Sequence, residues 1–277
     1  MAMTDIYMNN ELFSLNKVAY KLAYNNQYID IEDLQAVTSH IHNCVELYFN
    51  ISGEVSFLVK DRIYPINRGD LILTRENEFH HCIYHTSCTH EHVCLWIGDD
   101  PSNGLLAFIR DSDCNHLVFS WEEKEEMISL LQKAYSATTQ DQKFAATTYI
   151  LQILLMIKQR LADPLQESLS ILPKDFQTIL NYINTNYSDL TNVCQLTDRF
   201  FISPATLNRR FYRHLHISPK SYLESVKLSN AKRMLDEGKS VTKVCFDCGY
   251  SDCSHFIRSF KRKFGITPHK YQSQGAI

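Results

Sequence analysis

The sequence predicts an α+β protein with two domains, a β-rich N-terminal domain and an all-α C-terminal domain. Short apolar runs separated by turn residues fill residues 20–100, a pattern typical of a β-sandwich or barrel. From residue 101 onward, apolar side chains recur every three or four positions, which indicates helices. The C-terminal part contains two helix-turn-helix patterns, and these predict a module that enters a DNA major groove.

The β assignment depends on side-chain alternation. Residues 45–59 are rich in Val, Ile, Tyr and Phe, and they are interrupted by Ser52 and Gly53. A turn at residues 68–70 precedes the buried-type run at residues 71–73. In residues 90–97, His, His, Cys and Trp alternate with Glu, Val, Leu and Ile. That period of two places alternate side chains on opposite faces of a strand.

Two helices are predicted next. The first covers residues 121–137, with Ser120 as its N-cap and acidic residues in its first turn. The second covers residues 143–161 and carries two apolar stripes, one of Ile150, Leu154, Ile157 and Leu161 and one of Leu151 and Leu155. Two stripes can cover the β-domain and still leave an apolar surface, so we expect a homodimer formed through this region. The alternative is a helix buried in its own domain.

The helical pattern breaks at residues 162–170, and Pro173 opens the next helix. We therefore divide the chain into a β-domain (1–100), a helical dimerisation region (101–162), a linker (163–173) and a DNA-binding domain (174–277).

The second helix-turn-helix unit is the more regular one. Gly249 stands at the left-handed turn position, and Ser251 or Asp252 caps the helix that follows. Phe256 and Phe260, four residues apart, form the inner face of that helix. Its outer face is polar and basic, as in helices that read DNA.

The first unit repeats this pattern. Ser203 and Pro204 start a helix in which Leu207, Phe211 and Leu215 recur every four residues. A helix over residues 222–237, ended by a glycine, joins the two units.

Charge is distributed unevenly along the chain. The whole chain has 28 Lys and Arg, 31 Asp and Glu, and a formal net charge of −3. Residues 174–277 hold 16 of the basic and 8 of the acidic residues, a net charge of +8 that leaves −11 for the remainder. A basic part on an acidic body favours a polyanion-binding module. Chance segregation of solvated surface charge is the alternative.

Membrane and secretory features are missing from the sequence pattern. No run approaches the roughly 18 apolar residues of a membrane span, and the N-terminus lacks a basic start and an apolar block. Nine cysteines without a small secreted framework are typical of reduced thiols. We therefore expect a cytoplasmic protein with no membrane partner.

The C-terminal part resembles the DNA-binding domain of AraC/XylS-family transcription regulators. The positions that match the family are Ser203, Leu207, Phe211, Ser218, Pro219, Tyr222, Ala231, Leu235, Gly249, Tyr250, Ser254, Phe256, Phe260, Lys261, Phe264, Gly265 and Pro268. Thr197 and Phe201 depart from the pattern, because the family usually has a small residue and a glycine there. The departure makes the first unit's turn the less regular of the two.

The resemblance implies two recognition helices, at about residues 204–215 and 252–263. Arg suits guanine and Asn suits adenine, so Asn208 and Arg209 are the best base readers in the first, with Cys253, Ser254 and Arg258 in the second. The other predicted DNA contacts are Ala205, Thr206, Arg210, Arg213, Ile257, Lys261 and Arg262. Among these, Arg210, Arg213, Lys261 and Arg262, together with Lys263, are predicted to neutralise phosphates. The alternative for each is a solvated surface side chain.

The N-terminal half resembles the family's cupin-like sensor domain, which implies a β-barrel with flanking helices. The first cupin motif is matched by His40, His42 and Glu46, and the second approximately by residues 69–80, ending at His80. In metal cupins the equivalents of these four residues bind a divalent ion. Many regulators of the family keep these residues without metal and use the barrel to hold a small effector, which the four side chains would then contact. Tyr48 and Trp96 could stack on such an effector or belong to the apolar core. Plain structural histidines are the third alternative, and we assign no metal and no cofactor.

Residues 80–94 contain eight His and Cys side chains. One interpretation is a hairpin with His on its polar face and Cys as apolar filler. The other is metal or redox sensing. For Cys245 and Cys248, which have the Cys-x-x-Cys spacing, the sequence favours packing inside the helix-turn-helix.

The resulting hypothesis is a DNA-binding transcription regulator controlled by a small-molecule effector; we expect an activator, with a repressor as the alternative. The family often senses sugars, so a sugar is the favoured class. Double-stranded DNA, the effector, a second copy of the chain and RNA polymerase are the expected partners. The alternatives are a metal-dependent cupin enzyme or a metal- or redox-responsive regulator using His40, His42, Glu46 and His80, and an RNA-binding protein. No catalytic residue is assigned, since no Gly-rich phosphate loop, His-Glu-x-x-His or Gly-x-Ser-x-Gly motif occurs.

Overall fold

The computed structural model describes residues 19–31, 41–99, 104–137, 143–163 and 172–273. The strands in these residues are β1 (Ala19–Ile29), β2 (Val45–Ser52), β3 (Val55–Val59), β4 (Arg62–Ile66), β5 (Leu71–Thr74), β6 (His80–Tyr84), β7 (Cys88–Gly98) and β8 (His116–Leu117). The helices are α1 (Ala107–Arg110), α2 (Trp121–Ser136), α3 (Lys143–Leu161), α4 (Lys174–Asn186), α5 (Cys194–Phe200), α6 (Pro204–Leu215), α7 (Pro219–Asp236), α8 (Val241–Asp247), α9 (Cys253–Phe264) and α10 (Pro268–Ser273).

Two antiparallel sheets face each other in the N-terminal part. Sheet A has the strand order β1-β7-β2-β5-β8, and sheet B has the order β4-β3-β6. Side chains from the facing surfaces, among them Tyr48 and Ile72 of sheet A and Phe57 and Val59 of sheet B, form one buried cluster. We call this space between the sheets the barrel interior.

The outer face of sheet A is covered by helices. On β2, Val45, Leu47 and Phe49 alternate with the inward residues and pack against α2 and α3. Helix α2 begins, as predicted, at Ser120, whose hydroxyl accepts from the backbone N–H of Glu123 while the Glu123 carboxylate accepts from that of Ser120. The helix is thereby fixed at its start against the sheet.

The two stripes of α3 have different surroundings. Ile150, Leu154 and Ile157 are buried against the barrel. Leu151 and Leu155 remain 46% and 54% exposed. The helix therefore covers the sheet with one stripe and leaves the second stripe at the surface.

One prediction for this part was wrong. We expected only helices after residue 101, yet β8 adds a strand to sheet A by pairing with β5. The side chain of Asn115 donates to the carbonyl of Leu73 and fixes this pairing. A two-residue strand is too short for any periodicity to reveal it.

The C-terminal helices begin and end close to the predicted residues. Helix α7 begins earlier than expected, because Ser218 caps it through the Ser221 N–H and Pro219 takes the first helical position. Helices α4–α7 share one apolar core, and α7–α10 share another. These cores hold α6 and α9, the second helices of the two helix-turn-helix units, with one face outward. The α+β fold with a β-barrel and a double helix-turn-helix is confirmed.

Candidate functional site

The outward face of α6 contains the residues predicted to read bases. The Ser203 hydroxyl accepts from the Thr206 N–H at 3.1 Å, and Leu207, Phe211 and Leu215 are buried. That orientation leaves Ala205, Asn208, Arg209 and Arg213 exposed. Thr206 is half-buried and its hydroxyl bonds the capping Ser203, so its side chain belongs to the cap.

Helix α9 is built in the same way. The Asp252 carboxylate accepts from the backbone N–H groups of Ser254 and His255 at 3.0 and 2.8 Å, and these bonds lower the pKa of Asp252. Phe256, Ser259 and Phe260 face inward. Of the residues predicted to contact DNA, Ser254, Ile257, Arg258, Lys261 and Arg262 are exposed, and so is His255, which was not predicted.

Cys253 is the exception on α9. It is half-buried and packs on the apolar core that contains Cys245. Cys245 and Cys248 are buried in that same core, in agreement with the packing role favoured for them.

The arginines of the two helices differ in their partners. Within the described residues, Arg209 and Arg258 form no ion pair, whereas Arg210 pairs with Asp175 at 2.8 Å and Arg262 with Glu224 at 2.7 Å. Arginines without an acidic partner remain available for bases or phosphates. Arg210 and Arg262 must first break their ion pairs before they can bind DNA.

Lys263, predicted to contact phosphate, instead points inward. Its ammonium donates to the Ser225 carbonyl at 3.3 Å and to the Ser229 hydroxyl at 3.5 Å on α7. Burial lowers the pKa of Lys263 to about 7. The prediction failed because Lys263 follows directly after the exposed residues Lys261 and Arg262, and a long charged side chain at such a position usually reaches solvent.

One end of the barrel interior holds a charged cluster. Glu46 Oε2 lies 2.9 Å from Nε2 of both His42 and His80. Burial opposes ionisation of Glu46, but the two imidazoles hold its pKa well below its usual range. Burial likewise opposes protonation of His80, but Glu46 raises the His80 pKa. The arrangement is an imidazolium–carboxylate pair between His80 and Glu46.

The neighbours of this pair are fixed by hydrogen bonds. His80 Nδ1 lies 2.7 Å from the Glu78 carbonyl, and since a carbonyl only accepts, Nδ1 carries a proton. The Trp96 indole Nε1 lies 3.2 Å from His42 Nε2. The structure thus places His42, Glu46, His80 and Trp96 close together. His40 lies outside the described residues.

The other end of the interior holds an uncharged polar set, of which only Tyr48 was predicted to line the effector site. His90 Nε2 lies 2.6 Å from the Tyr48 hydroxyl, and His90 Nδ1 lies 2.9 Å from the Tyr84 hydroxyl. His92 stacks on both Tyr48 and His90. Burial lowers the pKa of His90 to about 3 and that of His92 to about 4, so both rings are neutral.

Three polar atoms on the inner face of sheet A are buried without a hydrogen-bond partner among the described residues. They are Thr74 Oγ1, Asn50 Oδ1 and His92 Nδ1. Thr74 is the register partner of Glu46, and Asn50 that of His92. A buried polar atom left unpaired destabilises a fold by about 1–3 kcal/mol, so such groups concentrate where a ligand or water satisfies them.

His42, Glu46 and His80 also satisfy the basic test for a metal site. Their ligand atoms lie within 4.8 Å of one another. Imidazole and carboxylate suit zinc and related divalent ions, and the bond from His80 Nδ1 to a carbonyl orients Nε2 as a metal ligand requires. Without a metal ion, Glu46 and His80 satisfy each other as an ion pair.

No helix in the described ranges is long and apolar enough to span a membrane.

Comparisons with known proteins agree with this two-part architecture. A family model described as the AraC-like ligand binding domain matches residues 28–166, and one described as a helix-turn-helix domain matches residues 196–274. The HTH-type transcriptional activator RhaS of Pectobacterium carotovorum subsp. carotovorum (strain PC1) is 24% identical over 255 residues, which cover 86% of this chain and 88% of the relative. RhaS of Escherichia fergusonii is 24% identical over 246 residues, covering 85% and 87%.

Among solved structures, unsaturated fatty acid-bound ToxT from Vibrio cholerae strain SCE256 is similar at a TM-score of 0.41 and 13% identity, covering 96% of this chain and 97% of that one. The ligand-domain model covers half of the sequence, and the helix-turn-helix model covers both recognition helices. The chain therefore belongs to the AraC/XylS family of DNA-binding transcription regulators, with an N-terminal ligand-binding domain.

Proposed function

We propose that this regulator is an activator that reads two successive major grooves through α6 and α9. The observation that carries the proposal is that Arg209 and Arg258 hold equivalent positions, each two residues after a buried core residue, Leu207 and Phe256. Both are exposed and, within the described chain, neither is ion-paired. Two such arginines on parallel scaffolds suit two guanines on one face of a duplex.

The remaining predicted contacts have separate roles in this proposal. Asn208 and Ser254 support base reading, and Arg213 and Lys261 bind phosphates. As an activator bound to DNA, the protein would contact RNA polymerase and work in the compartment that holds its target. The curated relatives are transcription regulators, and we propose no catalytic residue.

We propose that the effector binds in the barrel interior and is a neutral, hydroxyl-rich molecule of the sugar class. The ionised groups compensate each other as the Glu46–His80 pair, and His90 and His92 are neutral. Hydroxyl groups can both donate and accept, as Asn50 Oδ1 and the other unpaired atoms require. The Lys21 ammonium covers one side of the Trp96 ring, 5.3 Å from its centre, so the other side of the ring is the one that would stack on a sugar.

A thermal-shift screen tests this effector class. Neutral sugars, sugar acids and fatty acids are added separately to the full chain, and a neutral sugar is expected to raise the melting temperature. Tyr84→Phe removes a hydroxyl from the interior and should abolish the shift. Tyr28→Phe is the control, since Tyr28 is 67% exposed. Stabilisation by anionic compounds alone would contradict the proposal.

We further propose that two copies associate through α3. Leu151 and Leu155 border a surface cleft of about 440 Å³ that is also lined by Leu105, Phe108 and Lys158. Leu155→Asp should shift sedimentation from dimer to monomer, and Thr242→Asp, at an exposed position on α8, should not. A monomeric wild type would contradict this assignment.

A divalent cation at His42, Glu46 and His80 is the second candidate effector, favoured by the convergence of their ligand atoms. Elemental analysis of the purified full chain separates the two. The ion-pair interpretation predicts no stoichiometric metal, whereas one equivalent of zinc or another divalent ion would favour the second candidate.

A further inference from the structure

Both faces of sheet B are covered, one by the barrel interior and the other by the C-terminal helices. Along β3, Phe57 and Val59 point into the barrel interior, whereas Leu58 between them points outward. Along β6, His80 faces Glu46 in the interior and Ile83 faces outward. A displacement of either strand by a bound effector therefore moves side chains on both faces together.

The DNA-binding domain covers the outer face of sheet B. A single apolar cluster joins residues of the barrel to residues of α4 and α7. Its barrel members are Ile41, Leu58, Ile63, Phe79 and Ile83, and its members on α4 and the start of α7 include Phe176, Ile179, Ile183, Tyr222, Leu223 and Val226. The two parts of the chain are thus packed together as well as linked.

Polar contacts fix the register of this packing. Lys60, in a left-handed turn (φ 54°) between β3 and β4, presents its carbonyl to the Asn184 side-chain N–H₂ at 3.1 Å. The Tyr222 hydroxyl donates to Asn184 Oδ1 at 3.1 Å. The ring of Phe79, next to His80, meets the Tyr222 ring edge-to-face at 5.2 Å.

The first turns of α7 also contact both recognition helices. The Tyr222 ring lies 5.5 Å from that of Phe211 on α6. Two residues later, the Glu224 carboxylate accepts from Ser259 and Arg262 of α9, both at 2.7 Å. One short segment, residues 222–224, therefore touches the barrel, α6 and α9.

We propose that this segment relays the state of the barrel interior to the two DNA-reading helices by direct contact through the outer face of sheet B. An effector that shifts β6 would move Phe79 against Tyr222 and so change the angle between α6 and α9. This proposal rests on the proposed function only in taking a bound effector as the event that changes the barrel interior. The contact and its transmission can be tested without effector or DNA.

Urea unfolding of the full chain tests the contact. Both tryptophans, Trp96 and Trp121, lie in the barrel part, so their fluorescence follows that part, whereas most helical residues lie in the C-terminal part and dominate far-ultraviolet circular dichroism. The two transitions should coincide in the wild type and separate in Phe79→Ala and in the milder Asn184→Ala.

Asn186→Ala is the matched control, because Asn186 lies on the same helix and its side chain, within the part of the chain that the structure describes, bonds only the Tyr182 carbonyl four residues before it. Its two transitions should coincide as in the wild type. Separated transitions in the wild type, or coincident ones in both interface variants, would overturn the contact.

Hydrogen exchange tests the relay itself. His80→Gln removes the interior ion pair. The backbone amides of residues 222–226 should then exchange about fivefold faster than in the wild type. A factor of about five corresponds to a loss of local stability equal to that of one buried hydrogen bond. In the Asn184→Ala background the same substitution should have no further effect there. Unchanged exchange at residues 222–226 in His80→Gln would overturn the relay while leaving the DNA-binding function untouched.

Discussion

The two helix-turn-helix units reach the same backbone geometry with different residues. The first unit has left-handed residues at Phe201 (φ 52°), before α6, and at His216 (φ 55°), after it. The second has glycines at both places, Gly249 (φ 72°) and Gly265 (φ 77°). Left-handed backbone destabilises a non-glycine residue by about 1–2 kcal/mol. The second unit is therefore the more strongly specified, and the first holds strain in its turns.

The turns also differ in length and in contacts. Two residues separate Gly249 from the capping Asp252, but one separates Phe201 from the capping Ser203. Phe201 is 94% exposed. A Cβ on Gly249 would lie 2.0 Å from the Ser188 carbonyl oxygen, so there glycine is needed for close approach as well as for its φ.

The largest difference is expected for Gly249→Ala. The methyl group meets backbone that must shift, and alanine adds left-handed strain, so the free energy of unfolding should fall by about 3 kcal/mol. Urea unfolding followed by circular dichroism measures it. Gly265→Ala is the control, because a Cβ there meets nothing within 4 Å, and a loss of about 1 kcal/mol is expected. Equal losses would refute the close-approach argument.

The units should also respond to different pH ranges. Burial lowers the Lys263 pKa to about 7 from 10.5. Between these two pH values the unfolded chain therefore binds more protons than the folded one. The free energy of unfolding falls for this reason as the pH drops from 10.5 to 7. As the pH falls from 9 to 8, the free energy of unfolding of Lys263→Met should rise relative to that of the wild type by up to about 1.4 kcal/mol. A pH-independent difference would show that Lys263 is not buried.

The equivalent position in the first unit is His214, whose ring lies 5.2 Å from that of Phe176. Burial, followed by Arg213 and Arg210, lowers its pKa below 6.5. The unfolded histidine therefore takes up protons first, and stability falls as pH drops below 6.5. Denaturant unfolding should show that the free energy of unfolding of His214→Gln rises relative to that of the wild type only below pH 6.5.

The smallest effect is expected for Phe201→Gly. It removes the strain of about 1–2 kcal/mol and adds about 0.5–1 kcal/mol of chain entropy lost on folding, so a net stabilisation of about 0.5 kcal/mol is expected. Phe201→Ala keeps a Cβ and should not stabilise, which separates the backbone from the exposed ring. If alanine stabilised as much as glycine, the ring and not the turn would be responsible. Urea midpoints at constant m-value measure both.

Local sequence patterns were sufficient for the helices, the caps and the alternation of the strands. Ser203 could be assigned as one cap, and the other could be limited to Ser251 or Asp252, because a cap involves only the next turn. The interior position of His90 and His92 was also within reach, since they share the parity of Trp96 along one strand. The contact of Lys60 with Asn184 was not, because nothing in either local pattern specifies a partner more than a hundred residues away.

The most direct test of the central claim, that both units read bases, is selection of bound duplexes from a randomised DNA library by the full chain. The wild type should enrich two elements about one helical turn apart. Arg258→Ala and Arg209→Ala should each lose the sequence preference of one element and about 1–3 kcal/mol of affinity, whereas Arg68→Ala, in the barrel domain, should lose neither. An unchanged motif and affinity in both helix variants would contradict the account.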